Sequence, residues 1–364
     1  MRINKDDSHA GKSAHRLTSI FVEQVNKAQF RTMEEDNSML CFGLGVDDPK
    51  RIFNTTVDLK EKFGTERVFD MPTAENAMTG IGVGAAMAGS RVLMTHQRLD
   101  FFLLAMDQLV NNAAKWHYMF NGQMAVPLTI RLVLGRGWGQ GPTHAQNLQS
   151  WFAHIPGLKV IVPSRADKVQ AQLYSAIMDN NPVLFLEHRW LHQQQCQIDD
   201  IQQSNSGIVN VERCLEGNDV TVVANSYMLL EAMLAAELLE PLGISVEVVD
   251  VGDLSPDCWQ EVYKSVNKTG RCLVCDCSHL SNSLSAELVA RVVDNCFDAL
   301  KQKPLRLALP DHPEPTSFAL TKSYYNDATD IVKSVCQMFS ISIPPIPERK
   351  APHDVPGDWF KGPF

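Results

Sequence analysis

No stretch of this 364-residue sequence approaches eighteen consecutive apolar residues, the length a membrane-spanning helix requires. No membrane association is therefore expected. Positive charge is also in short supply: 33 Lys and Arg face 42 Asp and Glu, a formal charge of −9, which excludes the basic footprint of a general nucleic-acid binder. The first sixteen residues are polar and lack the apolar core of a secretory leader. Nine cysteines, an odd number, are scattered from Cys41 to Cys336 without the paired spacing of a disulfide framework. Together these absences predict a cytoplasmic chain with reduced thiols.

What is present is the balance of a globular protein, 45% hydrophobic and 21% charged residues, with length for about two domains. Residues 17–36 carry apolar side chains at helical spacing through Ile20, Phe21, Val25, Ala28 and Phe30. Short apolar runs at 39–43, 67–70 and 91–95 predict buried strands, with helices over 75–89 and 101–116 between and after them. The rhythm continues through strands at 127–133, 160–162 and 183–187 and a helix at 168–178, which is the pattern of a parallel sheet covered on both faces. Residues 191–219 are rich in Gln and Asp with no strong period, and a second alternation follows. Its strands are expected at 220–224, 245–250 and 271–276, and its helices at 229–242, 258–266 and 283–295. The expected fold is α/β in two domains. The first spans 17–205 behind a flexible 1–16, and the second spans 206–342. Six prolines in 343–364 exclude a helix or central strand there, and Trp359, Phe360 and Phe364 suggest a tail that docks on a surface.

Three clusters invite chemical readings. Gly80, Gly82, Gly84 and Gly89 are spaced unlike the GxGxxG dinucleotide loop; Gly80 and Gly84 at i and i+4 more plausibly smooth a helix face for close approach of another backbone. Cys272, Cys275, Cys277 and His279 resemble a metal cluster on paper, but on a strand Cys272 points away from Cys275 and Cys277. Buried core thiols are the favoured reading. His144 ends the glycine-rich segment GRGWGQGPTH (135–144) after an apolar strand, where open α/β sheets bind ligands. Taken alone, His144 is a packed or surface residue more often than a reacting one. Glu75, at the start of the small-residue helix, could equally do no more than complement the helix dipole.

Taken together, RVFDMPTAENAMTGIGVGAAMAG (67–89), AMDQLVNNAAK (105–115), THAQNLQSWFAHIPGLKVIVPS (143–164) and SAIMDNNPVLFLEH (175–188) resemble the β subunits of thiamine-diphosphate-dependent 2-oxoacid dehydrogenases, the E1β chains of the transketolase superfamily. The resemblance is weaker over the second domain, resting mainly on DVTVVANSYMLLEA (219–232). It implies a pyrimidine-binding domain followed by a transketolase C-terminal-type domain. It also implies that Glu75 contacts N1′ of the cofactor's aminopyrimidine, so that the 4′-imino tautomer can remove the thiazolium C2 proton. A Glu half-buried among Ala, Met and Gly would hold that proton more tightly. Phe101 matches the aromatic that stacks on the pyrimidine. Thr73 and Gln97 fall at neighbouring pocket positions, Gln97 in place of the usual apolar residue. His144 matches the histidine that faces the substrate. Leu128, Ala176, Asp179 and Asn181 match positions that hold a structural monovalent cation, usually potassium; DNNP (179–182) also reads as a plain turn.

The superfamily binds the diphosphate through Mg²⁺ on a GDG motif followed by NN, and this chain has no GDG. The resemblance therefore implies half a site, completed by an α-type subunit carrying the Mg²⁺ ligands in an α₂β₂ assembly. The substrate would be a 2-oxoacid, with a lipoyl-bearing E2 as a possible acceptor. GPTHAQ (141–146) looks more like the GPTH segment of transketolases, which supports an alternative: a split transketolase-like enzyme acting on a ketose and an aldehyde or sugar acceptor. A third reading is a catalytically silent scaffold paralogue, against which the retention of Glu75 and His144 argues.

Overall fold

A computed structural model of the chain describes residues 18–136, 139–197, 211–347, 355–357 and 360. Its thirteen strands are β1 (Thr18–Ile20), β2 (Leu40–Gly43), β3 (Val68–Asp70), β4 (Val92–His96), β5 (Leu128–Leu134), β6 (Lys159–Ile161), β7 (Val183–His188), β8 (Gln195–Gln197), β9 (Val211–Leu215), β10 (Val220–Ala224), β11 (Val246–Val251), β12 (Cys272–His279) and β13 (Leu305–Leu309). Six of them form an all-parallel sheet in the order β3-β2-β4-β5-β7-β6. A second sheet runs β13-β12-β10-β11-β9 and is parallel except for β9. This is the expected two-domain α/β fold. Among the described residues no helix is long and apolar enough to cross a membrane.

The first sheet is buried on both faces, which is why β5 and β7 read as nearly unbroken apolar runs. One face is covered by Phe21–Glu35 and Val169–Met178, which pack on each other. Glu75–Met87 lies on the other. Within this core sits an ion pair: Arg131 on β5 reaches Glu187 on β7 through two hydrogen bonds of 2.6 and 2.9 Å, both side chains at most 1% exposed. His192 Nε2 lies 3.1 Å from the same carboxylate. Burial alone would raise the Glu187 pKa; Arg131 and His192 overcome it and hold it down at about 2.

The second sheet carries Tyr227–Leu239 and Ala328–Phe339 on one face and Gln260–Thr269 and Leu284–Cys296 on the other. Cys272 packs with the latter pair, while Cys275 and Cys277 pack with the former, so β12 splits the thiols between two faces. Burial pushes Cys272 up to about 12 and Cys275 and Cys277 higher still. None of the nine cysteines is joined in a disulfide. The two sheets meet where Val162 donates to the Gly252 carbonyl at 2.7 Å and Leu254 to that of Val160 at 3.0 Å.

Three expectations need correction. Residues 101–116 do not form one α-helix: the path is α-helical over Leu99–Phe102, 3₁₀ over Leu103–Ala105, π-helical over Gln108–Ala113 and α-helical again over Ala114–Met119. The widened turn keeps Leu109 and Ala113 on the buried side with Phe102 and Ala105. The leading helix begins only at Phe21, because Thr18–Ile20 pairs antiparallel with Gln195–Gln197. The supposedly patternless stretch 191–219 thus contributes β8 and β9; residues 198–210 within it lie outside those described, as do residues 1–16. Of the tail aromatics only Phe360 is described. It is buried, with the Arg189 guanidinium 5.5 Å from its ring centroid.

Candidate active site

Glu75 opens the helix Glu75–Met87 immediately after the loop that follows β3. It is 7% exposed, deeper than half-buried, and forms no hydrogen bond or ion pair among the described residues. Thr73, two residues earlier, is exposed. The helix packs against Leu103–Ala105 and Gln108–Ala113, the segments that continue from Phe101.

Phe101 and His144 are brought into direct contact, their rings edge to face with centroids 5.2 Å apart. Thr143 Oγ1 lies 2.9 Å from His144 Nδ1, which orients the imidazole and leaves Nε2 for other work. The backbone of this loop is held by side chains that follow β4. Arg98, which is buried, donates to the carbonyls of His144 at 3.0 Å and Gly135 at 3.4 Å and to Gln140 Oε1. Asp100 Oδ1 accepts from the Gln146 side chain at 2.8 Å and its backbone N–H at 3.3 Å. Gly141 has φ +68°, and a Cβ there would stand 2.2 Å from Thr316 Oγ1 of the second domain.

Gln97 follows directly on β4. It lines a 390 Å³ surface cleft with Asp48, Pro49, Lys50, Ile52 and Phe53. Its amide tip comes so close to Gly45 that a Cβ there would be 2.4 Å from Nε2. Between Gln97 and the strand interior, His96 is 1% exposed, and both its ring nitrogens lack a partner among the described residues. Burial pulls it down to about 4, so it is neutral.

The four residues of the expected cation site are not at this end of the sheet. Leu128 begins β5, and Ala176, Asp179 and Asn181 precede β7, so they sit at the amino ends of the strands. Seven residues of β5 separate the two ends, roughly 20 Å. The Ala176 carbonyl accepts from Thr129 Oγ1 at 2.7 Å. Arg91 Nη1 donates to the carbonyls of Ile177 at 2.7 Å and Asp179 at 2.9 Å. Lys159 Nζ is 2.5 Å from the Asp179 carboxylate, whose other oxygen accepts from the Asn181 N–H at 2.9 Å. The oxygens do gather, but two side-chain cations already serve them, and an added ion would have to use their remaining lone pairs.

Arg98, Asp100, Gln140, Gln146 and His96 were not singled out in the sequence. The available signal was charge where the strand 91–95 and the following helix should both be apolar: a His, a Gln, an Arg and an Asp within five residues.

A parallel sheet whose carboxyl end carries a buried acid, an aromatic and a glycine-rich histidine loop, joined to a second α/β unit, defines a class that the family comparisons then specify. The model of the transketolase pyrimidine binding domain matches residues 23–194, and that of the transketolase C-terminal domain matches 209–331. The chain is 35% identical over 317 residues to pyruvate dehydrogenase E1 component subunit beta-2, mitochondrial, of Oryza sativa subsp. japonica, covering 86% of this chain and 84% of that one. It is 32% identical to the 2-oxoisovalerate dehydrogenase subunit beta of Bacillus subtilis (strain 168), covering 86% and 96%. A solved structure described as a split gene transketolase, inactive beta4 tetramer, superposes with a TM-score of 0.72 at 22% identity, covering 89% of this chain and 99% of that one; this likeness concerns the fold. The chain belongs to the E1β-like family of 2-oxoacid dehydrogenase subunits, built from transketolase-type pyrimidine-binding and C-terminal domains.

Proposed function

We propose that this chain is the β-type subunit of a thiamine-diphosphate-dependent enzyme that cleaves the bond beside a 2-oxoacid carbonyl, with Glu75 and His144 as its catalytic residues. The observation that carries the reading is Glu75, a carboxylate 7% exposed and without a hydrogen bond among the described residues, at the start of the helix that packs on the segments following Phe101. The cofactor supplies a nucleophilic carbon once its aminopyrimidine is polarised. Glu75 holds the proton at N1′ of that ring, and Phe101 offers its face to the ring, with Thr73 and Gln97 at the pocket's margin. His144, aligned by Thr143 and fixed by Arg98, presents a nitrogen to the substrate carboxylate or carbonyl oxygen. Nine cysteines without a disulfide fit a reducing, cytoplasmic setting.

The chain lacks GDG, so the Mg²⁺ and diphosphate ligands are assigned to an α-type partner in an α₂β₂ assembly. The exposed face of Glu75–Met87 suits that contact: Ala77, Ile81 and Gly84 line it, and a Cβ at Gly84 would meet nothing. Calorimetric titration of thiamine diphosphate with Mg²⁺ tests the reading. Binding only when the chain is mixed with a candidate α subunit supports it, whereas tight binding to the chain alone removes the split site. Potassium at the Leu128–Asn181 corner belongs to the same proposal. A melting midpoint raised by KCl and not by choline chloride would support it, and equal midpoints would remove it.

A second reading rests on Thr143 within GPTH, a transketolase-like pairing of hydroxyl and imidazole. It replaces the lipoyl-bearing E2 with an aldehyde or sugar acceptor. Product analysis with each acceptor class separates the two.

A further inference from the structure

The segment Arg51–Asn54, which borders the Gln97 cleft, winds against the preference of L-residues. Its four residues have φ of +45°, +46°, +58° and +70°, a left-handed turn in which each Cβ crowds the following carbonyl. Ile52, being β-branched, is the least suited of them. Such a turn persists only where its surroundings over-determine it. Hydrogen bonds pin both of its ends. At the start, Arg51 donates to Asp47 at 2.6 Å and to Glu61 at 2.7 Å. Just past the end, Gln29 Nε2 and Asn26 Nδ2 donate to the Thr55 carbonyl at 2.7 and 3.1 Å, and Arg131 of the buried ion pair donates to Thr55 Oγ1 at 3.3 Å.

The middle of the turn is held by packing. Ile52 is buried in the core of the first domain. Phe53 is half-buried; its ring lies 6.0 Å from that of His192, and the Arg189 guanidinium stands 4.2 Å from its centroid. Arg189 is 3% exposed, and the same guanidinium lies 5.5 Å from the Phe360 ring, within the distance at which a cation is attracted by an aromatic face. Phe360 also meets Trp190, centroids 6.4 Å apart. The two rings that share Arg189 come from opposite ends of the chain. Ile346 still packs on the core of the second domain, whereas Val355 and Phe360 pack on that of the first. Direct contacts therefore run from Phe360 through Arg189 to Phe53, and Phe53 lines the cleft together with Lys50 and Gln97.

We propose that Arg189 and Phe360 are positioning residues for this cleft: Phe360, brought back to the first domain by the C-terminal segment, covers the Arg189 guanidinium, and Arg189 holds the Phe53 ring and with it the left-handed turn that walls the cleft. That the cleft borders a cofactor pocket rests on the reading of Gln97 given above. The coupling of Phe360 to the turn does not.

Hydrogen exchange over residues 50–57, measured by mass spectrometry on the full chain, tests the proposal without turnover. In Phe360→Ala, exchange there should quicken by about 5- to 30-fold, the range that a lost, desolvated cation–ring contact corresponds to, while Gln260–Thr269 of the second domain exchanges as in the wild type. Phe360→Tyr keeps the ring and should keep wild-type rates at 50–57. Arg189→Met keeps the length but not the planar cation; it should quicken the same residues, and adding Phe360→Ala should quicken them no further, because the contact between the two rings is already gone. If Phe360→Ala does not fold, Phe360→Leu, which keeps apolar cover but no ring, takes its place. Unchanged exchange at 50–57 in the Phe360 variant, additive effects in the double variant, or an equal rise at Gln260–Thr269 overturns the proposal. In the enzyme assembled with an α-type subunit, Phe360→Ala should weaken thiamine diphosphate binding more than it lowers kcat. Quickened exchange at 50–57 with unchanged cofactor affinity would remove Gln97 from the cofactor pocket and leave Arg189 and Phe360 in their role at the turn.

Discussion

At the carboxyl ends of the first sheet, Arg98, Arg136 and Arg189 are each less than a tenth exposed, while the second sheet and its connections bury Glu247, Asp250, Asp253 and Asp276 to the same degree. The environments bear the same imprint. In the first domain, burial and neighbouring arginines lower His188 to about 3, and burial with Arg98 lowers Arg189 to about 10. In the second, burial lifts Asp250 to about 7. Charges buried with their own kind would be costly in either domain alone. Two of the acids are met across the seam between the domains, where Gln149 donates to Asp276 at 3.2 Å and Ser164 to Asp250 at 2.7 Å, while Glu247 is paired with Lys268 of its own domain. The comparison teaches a division of labour. The first domain carries the groups assigned to substrate and cofactor, and the second packs Thr316 against the loop that ends in His144.

The sharpest way to break that division is at Glu75. Glu75→Gln should lower turnover by about 10²- to 10⁴-fold, the range for a lost proton-handling group, while the subunits still co-elute on gel filtration. Near-normal kcat would place the chemistry elsewhere. A stability effect of comparable weight is expected at the Arg131–Glu187 pair, buried inside the first domain. Arg131→Met leaves Glu187 charged and sealed from water, at a cost of about 3–5 kcal/mol in urea unfolding. The double variant Arg131→Met, Glu187→Leu should recover much of that loss, because two apolar groups avoid the stranded charge. If the double variant is no better than the single, the pair contributes more than mutual compensation.

Arg98 probes the link between charge and loop. Arg98→Met removes the donors to the His144 and Gly135 carbonyls, and a displacement of about 1 Å at a reacting group costs on the order of 10²-fold. A fall in kcat with little change in calorimetric cofactor affinity is the expected result. Equal losses in both would recast Arg98 as a general support of the fold.

The same contrast explains what could be read in advance. The strands and the α/β alternation were legible because a sheet covered on both faces leaves uninterrupted apolar runs such as VLFL (183–186). Pairing partners were not: β1 and β8 are three-residue strands joined across most of the first domain, and neither carries a periodic signal of its own. The wide turn at Gln108–Ala113 escaped notice because its apolar residues fall at spacings an ordinary helix also allows. At the site, Glu75, Phe101 and His144 were visible through the resemblance, whereas Arg98 and Asp100 act through contacts with a segment 37 to 46 residues further on. Residue type alone marks them as polar. Only the fold shows that they are buried, and against what.

Asp250 tests the seam itself, with the smallest expected effect at any one pH. Its carboxyl is buried in β11, accepts from Ser164 of the first domain, and lies near Arg165, Glu212 and Asp167. Burial is the leading cause of its raised pKa, with the Ser164 hydrogen bond and Arg165 opposing. The folded state therefore holds a proton that the unfolded chain has already released at the same pH. Stability from this group is present in full below the ordinary aspartate range and is lost as pH rises through about 7. The slope contributed is at most about 1.4 kcal/mol per pH unit. Asp250→Asn cannot titrate, so its urea midpoint should vary less with pH than that of the wild type, and the two curves should diverge most above neutrality, with the variant the more stable. Parallel curves would mean that Asp250 remains ionised in the fold, held by Arg165. The seam would then be a set of fixed ion pairs, insensitive to protons at this position.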